Sequence, residues 1–283
     1  VQTRVDQLAR NRVGITFNVD EGESASIKQL KIIGSKEFTE KQLLEEFELS
    51  TGGLMSWYSK NDQYSRQKLS GDVEKLRSFY LNRGYADFSI ENTQVQIAPN
   101  KQDIFITITI KEGQKFTFGD VELSGQLLGR DAELRGLMQA KKGETFNGEA
   151  LTDTTKSIQD RLGNYGYAFA NANVIPELDR EKRVVNINIA VDPGKRVYVR
   201  RMNVGGNTRT KDEVVRREFR QFESSWYDSR KIQLSKERVD RLGYFSNVDI
   251  ETQPVPGTSD QIDVNMQVEE KPTGNLLLGA GIS

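Results

Sequence analysis

The chain has no cysteine and no histidine. Those absences remove thiol catalysis, Ser-His triads, imidazole acid–base chemistry and the usual zinc sites, each of which needs one or other side chain. They leave the compartment open, because a Cys-free chain suits a reducing cytosol and an oxidising periplasm alike. An excess of one charge is also missing: 40 Lys and Arg stand against 41 Asp and Glu, a net charge of −1. A nucleic-acid protein needs clustered basic excess to release counterions, so that class is set aside. No apolar run approaches the ~18 residues of a membrane-spanning helix, and 36% hydrophobic content suits small, one-sided cores. The chain starts at Val1 without an initiator Met or signal peptide and stops at Ser283 inside a pattern, so it reads as an excerpt of a longer polypeptide.

What is present is a unit repeated three times. A short strand ends in Gly (Gly34, Gly125, Gly206), an amphipathic helical stretch ends in Gly-Tyr (Gly84, Gly166, Gly243), and an alternating apolar strand ends in a turn (Glu112-Gly113, Pro193-Gly194, Glu270-Lys271). The interval from helix-ending Gly to closing turn is almost constant, as a repeated supersecondary module requires. Strict alternation marks strands with one buried face: Ile104, Ile106, Ile108 and Ile110; Val185, Ile187, Ile189 and Val191; Ile262, Val264, Met266 and Val268. The same alternation at Val13, Ile15, Phe17 and Val19, followed by Glu21-Gly22, makes residues 1–22 the closing hairpin of a preceding module, with its turn near Arg10-Asn11.

Each module carries two helices. Thr39 with Gln42 and Thr210 with Glu213 have capping-box spacing, and Asp131 is the candidate cap in the second module. The second helix of each shows one apolar stripe: Leu69, Val73, Leu76 and Tyr80; Leu151, Thr155, Ile158 and Leu162; Ile232, Val239 and Leu242. Gly84, Gly166 and Gly243 then terminate the helices in the left-handed conformation, and Tyr85, Tyr167 and Tyr244 are expected to plug the helix–sheet junctions. The fold class is therefore α+β: strand–helix–helix–strand–strand modules, each a three-stranded mixed sheet with two helices on one face. Very short linkers such as Gly113-Gln114-Lys115 predict a semi-rigid arm.

Tandem modules of this order, with Gly-Tyr after the second helix, resemble polypeptide-transport-associated (POTRA) domains. The strings Tyr80-Leu81-Asn82-Arg83-Gly84-Tyr85-Ala86, Gly163-Asn164-Tyr165-Gly166-Tyr167-Ala168, Val215-Arg216-Arg217-Glu218 and Arg241-Leu242-Gly243-Tyr244-Phe245 are similar to the BamA family of outer-membrane β-barrel assembly factors of Gram-negative bacteria. The resemblance covers essentially the whole chain. It implies a second POTRA domain ending at residue 22, third, fourth and fifth domains at 23–114, 115–195 and 196–272, and the start of the first barrel strand at 273–283. It further implies a periplasmic scaffold at the outer membrane, with membrane association through a barrel and with no catalytic step or cofactor. Its partners would be accessory lipoproteins and unfolded outer-membrane protein precursors. Alternatives are the POTRA arm of a related secretion or translocation protein, or a periplasmic polysaccharide-binding protein or enzyme. Acidic pairs such as Glu45-Glu46 or Asp260 with Asp263 could in principle mimic glycosidase carboxylates, but nothing in the sequence places them in a pocket, and exposed helix or loop positions explain them better.

The edge of a three-stranded sheet offers unpaired backbone groups to an extended chain. The strand after each Gly-Tyr is the candidate edge: Phe88 to Ile97, Phe169 to Val174 and Phe245 to Ile250. In the first, Thr93, Val95 and Ile97 alternate with Gln94 and Gln96, and neither Lys nor Pro interrupts before Pro99. The resemblance places the docking site of the propeller lipoprotein BamB here, at Glu91, Val95 and Ile97. An insertion from Ser50 to Tyr64 carries Leu54, Met55, Trp57 and Tyr58; these either fold back over the helices or, through Trp57, meet a partner or lipid head groups. In the third module Arg216, Arg220 and Glu223, if helical, share one face at spacings of 4 and 3. The resemblance assigns that surface, and Glu223 within it, to the lipoprotein BamD.

Overall fold

A computed structural model of the chain describes residues 2–8, 12–18, 26–49, 62–100 and 103–272. The expected turns at Arg10-Asn11 and Glu21-Gly22, the insertion residues up to 61 with Trp57, and the segment 273–283 lie outside the described residues. Two compact units form. The first runs to Thr117 and takes in 145–149 and 180–183; the second holds 118–144, 150–179 and the residues from Val184 on.

At the start, β1 (Gln2–Leu8) and β2 (Arg12–Asn18) make an antiparallel hairpin. Three modules follow. The first contains β3 (Ser26–Ile33), α1 (Glu40–Leu44), α2 (Asp62–Leu81), β4 (Ser89–Ile97) and β5 (Asp103–Lys111). The second contains β6 (Thr117–Gly125), α3 (Asp131–Arg135), α4 (Gly148–Gly163), β7 (Asn171–Asp179) and β8 (Val184–Asp192). The third contains β9 (Tyr198–Gly205), α5 (Asp212–Arg216), α6 (Ser229–Asp240), β10 (Phe245–Pro254) and β11 (Gln261–Glu270). In every module the last strand lies at the centre, giving sheet orders β3-β5-β4, β6-β8-β7 and β9-β11-β10. In the first and third the outer pairs are parallel to one side and antiparallel to the other. The alternating positions of the central strands are the cores: Ile104, Ile106, Ile108 and Ile110 are all buried, as are their counterparts in β8 and β11. Burying such side chains contributes about 1.5–3 kcal/mol each.

One steric constraint explains the glycine that ends each first strand. Gly34, Gly125 and Gly206 all have positive φ, and a Cβ there would sit about 2 Å from the carbonyl oxygen of Ile110, Val191 or Val268 on the central strand. The loop beyond that glycine is then tied down by the closing turn. Glu112 accepts from the N–H groups of Lys36 (3.0 Å) and Glu37 (3.2 Å) and from the Tyr80 hydroxyl (2.9 Å). Glu270 accepts from Thr210 N–H (2.7 Å), Arg209 N–H (3.0 Å) and the Thr208 hydroxyl (2.9 Å). Tyr80 is fully buried, stacked on Phe88 at 4.3 Å, and burial first and Glu112 second push its hydroxyl far above the ordinary tyrosine pKa.

The helices depart from expectation in four places. Thr39 and Gln42 do form the capping box, but Thr210 does not cap α5. Its N–H is taken by Glu270, Lys211 occupies the cap position, and no side chain bonds there. In α3 the cap is Arg130, with Asp131 inside the first turn. In α4 the buried stripe residue is Thr154, not Thr155. Tyr85 is buried, yet Tyr244 is 53% exposed and plugs nothing.

Thr154 belongs to a regularity the stripe had hidden. Four residues before the central stripe residue of each second helix (Leu76, Ile158, Val239) stands a fully buried polar group: Asp72, Thr154 or Ser235. Asp72 accepts from Glu48 N–H (2.8 Å) and Leu49 N–H (2.9 Å), Thr154 from Gln139 N–H (3.0 Å), and Ser235 from Arg220 N–H (2.8 Å). The segment after each first helix runs back over the second with donors that no strand can take, and an unpaired buried N–H would cost about 1–3 kcal/mol.

Backbone donors, Thr210 first, hold Glu270 well below the usual carboxylate range, at about 2 against an ordinary 4.5. The unfolded chain therefore takes up this proton first on acidification. The group's stabilisation is present above about pH 4.5 and is lost as pH falls through about 2. Thermal melts across that window should fall more steeply for the native chain than for Glu270→Gln, whose curve should be flatter.

Candidate functional site

The open edge of the first module is built by the phase of one ladder. Ala98 N–H donates to Asp103 C=O at 2.8 Å, continuing the register in which Ile97 faces Ile104 and Val95 faces Ile106. Backbone groups in an antiparallel pair alternate between facing the partner and facing away. With Ala98 facing β5, so do Gln96 and Gln94, and the N–H and C=O of Thr93, Val95 and Ile97 point outward. Among the described residues no backbone group bonds to that row. Their side chains share the face of the buried Ile104, Ile106 and Ile108, yet the helix layer does not reach them: Val95 is 41% and Ile97 62% exposed. Glu91 is skipped in the register between Ile90 and Asn92, a β-bulge that marks where the open row begins.

The other two modules share this plan but not this edge. β7 carries Pro176 opposite Ile187, and a proline inside a strand removes a donor from the outer row. β10 is longer than expected, ends at Pro254, and has a bulge between Phe245 and Asn247.

The opposite edges are closed by the chain itself. Glu144 C=O accepts from Phe118 N–H and Phe118 C=O from Gly143 N–H, both at 2.8 Å. In the third module Ser225 C=O accepts from Val199 N–H (2.9 Å), Val199 C=O from Ser224 N–H (2.7 Å), and Val197 C=O from Tyr227 N–H (3.0 Å).

That closure relocates the second set of candidate residues. α5 ends at Arg216, and 217–226 is not helical, so Arg216, Arg220 and Glu223 do not share a helical face. Arg216 and Glu223 instead converge on the backbone of one residue: Glu223 Oε1 accepts from Met202 N–H and the Arg216 guanidinium donates to Met202 C=O, both at 2.8 Å. Arg216 also pairs with Asp212. Arg220 turns away, its guanidinium donating to Phe219 C=O at 2.9 Å. The loop is held from inside by Gln221, buried to 1% exposure, whose amide reaches Ser225 Oγ (2.7 Å) and Trp226 C=O (3.0 Å) and accepts from Asp228 N–H (2.9 Å). Held this way, the loop presents Phe222 at 65% exposure and Trp226 at 49%, the latter under the Arg196 guanidinium at 4.2 Å. Both aromatics were missed as site residues; the signal was two large rings bracketing Ser224-Ser225 beside a buried amide. Of the carboxylates that suggested catalysis, Asp263 is engaged by Arg200 at 2.9 Å.

A third arrangement occurs once within each unit. Asn82 Oδ1 accepts from Glu149 N–H in the first turn of α4 (2.9 Å), while Gly84 C=O accepts from Phe116 N–H (2.8 Å). The same two contacts recur in the second unit: Asn164 Oδ1 accepts from Arg230 N–H in α6 (3.0 Å), and Gly166 C=O from Val197 N–H (2.9 Å). Gly163 permits that approach, since a Cβ there would meet Ser229 Oγ at 2.9 Å.

Residues 25–113, 116–194 and 197–271 each match the POTRA family, described as a surface antigen variable number repeat. The chain is 39% identical over 282 residues to the outer membrane protein assembly factor BamA of Neisseria meningitidis serogroup B, a match covering 99% of this chain and 35% of that protein. It is 30% identical over 273 residues to BamA of Buchnera aphidicola, covering 96% and 44%. It thus spans less than half the length of these relatives. The crystal structure of Haemophilus influenzae BamA POTRA3-5 matches with a TM-score of 0.75 at 31% identity, over 89% of this chain and 99% of that one.

The Met202 contacts make a stability test. Glu223→Ala strips the acceptor from Met202 N–H and should cost about 1 kcal/mol, read as a lowered Tm, whereas Glu223→Gln should keep most of the native value.

Proposed function

The chain belongs to the POTRA family, and from that premise we propose that it works as a periplasmic scaffold of the outer-membrane β-barrel assembly machinery. In this reading it docks accessory lipoproteins and steers unfolded outer-membrane protein precursors toward the barrel by adding their strands to its own sheets. The work is associative and requires no bond to be made or broken. The observation that carries the proposal is the outward row of Thr93, Val95 and Ile97, unguarded by Lys or Pro and bordered by exposed aliphatic side chains. Main-chain pairing there is tolerant of sequence, as a receptor for many different precursors must be. The same row, with Glu91 at its bulge, is the surface we assign to the propeller lipoprotein BamB. BamD we assign to the 216–226 surface of the third module, which carries Arg216, Glu223 and the exposed Phe222.

Val95→Pro deletes one outward donor while leaving the inward ladder whole, because an outer-row position tolerates Pro. Titration of the purified chain with BamB should show at least a tenfold weakening, with an unchanged circular dichroism spectrum; unaltered affinity would refute the edge.

For the third module, Glu223→Lys and Glu223→Gln should be compared in co-purification with BamD. Recognition by charge weakens with both, since each removes the carboxylate. Loss confined to the Lys variant would trace the effect to Met202 and remove Glu223 from the interface.

A further inference from the structure

Within the second unit the end of α4 meets the start of α6. Asn164 Oδ1 accepts from the Ser229 hydroxyl (2.7 Å) and from Arg230 N–H (3.0 Å), and Asp160 C=O accepts from the same hydroxyl (2.9 Å). Beside that contact lies an open cleft of about 590 Å³, walled by α4, α6 and the helix-side face of β10 at Ile250 and Thr252. The volume falls in the range of small-ligand sites.

Each helical wall is a single face. Lys156, Asp160 and Asn164 recur every four residues on α4 and just past its end, and Arg230, Gln233 and Lys236 every three on α6. At about 1.5 Å per residue, Lys156 stands about 12 Å along α4 from Asn164, and Lys236 about 9 Å along α6 from Arg230. One cation thus stands beside the helix contact and one on each arm, where four-carbon stems let both ammonium groups lean toward Arg230.

Three properties of this lining select a ligand. The first is charge. Lys156, Arg230 and Lys236 make no ion pair with any described residue, and Asp160 is the single carboxylate beside them, so three cations against one anion leave two positive charges. A ligand carboxylate cancels only one of these, whereas a phosphate monoester carries about −1.5 to −2 at pH 7. A guanidinium fork with ammonium point charges beside it also suits phosphate oxygens. The second is a set of neutral polar groups: the Gln233 amide, and Thr252 bonded to the Tyr227 hydroxyl, which burial keeps protonated by raising its pKa. The third is a small aliphatic patch, Ile232 with Ile250.

We propose that this cleft binds a phosphorylated sugar or polyol, with its phosphate among Arg230, Lys156 and Lys236, its hydroxyls at Gln233 and Thr252, and its carbon face on Ile232 and Ile250. Because α4 belongs to the second module and α6 with β10 to the third, the bound ligand ties the two together. The site shares no residue with the β4 edge or the 216–226 surface, so its failure and theirs are read separately.

The test titrates the whole 15N-labelled chain with glucose 1-phosphate, inorganic phosphate and glucose, read by calorimetry and by amide shifts in NMR spectra. Glucose 1-phosphate should bind, inorganic phosphate more weakly, and glucose not measurably, with the shifted amides clustered at 156–164, 229–236 and 250–252. Lys156→Ala/Lys236→Ala should weaken binding about tenfold or more, and Asp160→Asn, which removes the opposing carboxylate, should tighten it about twofold. None of these three side chains hydrogen-bonds a described residue, so the circular dichroism spectrum should stay native. Monomeric dihexanoylphosphatidylglycerol separates the sources: tighter binding than glucose 1-phosphate assigns the cleft to a lipid head group, and weaker binding assigns it to soluble sugar phosphates. The proposal is overturned if neither phosphorylated ligand binds, if inorganic phosphate binds as tightly as both, if either substitution leaves the affinity unchanged, or if the shifted amides lie elsewhere.

Discussion

A sheet of three strands bonds only its middle strand on both sides, and everything distinctive about this chain follows from how the two outer rows of amides are settled. On the first-strand side of the second and third modules the chain spends its own loop, pairing 143–146 and 223–227 against β6 and β9. On the other side it leaves the row open and varies what guards it. β7 has Pro176, β10 looks into a cationic cleft, and β4 has only a bulge at Glu91 before a bare run to Ile97. One architecture thus presents three chemically different edges.

Repetition holds at the level of hydrogen-bonding role and not of residue type. The peg that accepts from the returning segment is Asp72, Thr154 or Ser235, three side chains alike only in carrying an oxygen at one helical position. The closing clamp is Glu112 and Glu270, while Pro193 stands at the corresponding place in the second module and no clamp forms there. Where geometry leaves no latitude the residue itself repeats: glycine, because the carbonyl of the central strand already fills the space of a Cβ, and asparagine at 82 and 164, where a short amide oxygen accepts from a helix N–H.

That distinction also sets what could be read from the sequence. Alternation along β5, β8 and β11, the stripe of each second helix and the left-handed glycines are enforced by sterics or burial within a few residues, and the module plan was legible from them. The Thr39 capping box is local and was legible; the apparent one at Thr210 was not, because a carboxylate 60 residues away competes for the same N–H and wins. Helical spacing suggested a shared face for Arg216, Arg220 and Glu223, yet the chain leaves the helix at Arg217 to close the β9 edge, a long-range demand invisible in a local pattern. The open β4 edge was legible as composition, from a stretch without Lys or Pro. Its phase, the property that decides which amides are available, required the pairing of Ala98 with Asp103.

Magnitudes indicate what such an edge is good for. Thr93, Val95 and Ile97 offer six backbone groups, and at about 0.5–1.5 kcal/mol net per hydrogen bond a partner strand gains roughly 3–9 kcal/mol. A disordered segment must order about five residues to collect it, at about 1–2 kcal/mol each, which consumes nearly the whole gain. Pairing with an unfolded chain is therefore weak and quickly reversed. A strand already fixed in a folded partner has met that ordering cost in its own folding and keeps most of the gain. The same three residues can in this way hold a strand of a folded partner firmly and a strand of an unfolded chain only briefly, with no change in their contacts. What separates the two is the entropy of the incoming strand, so an edge without side-chain specificity still discriminates between partners by their order.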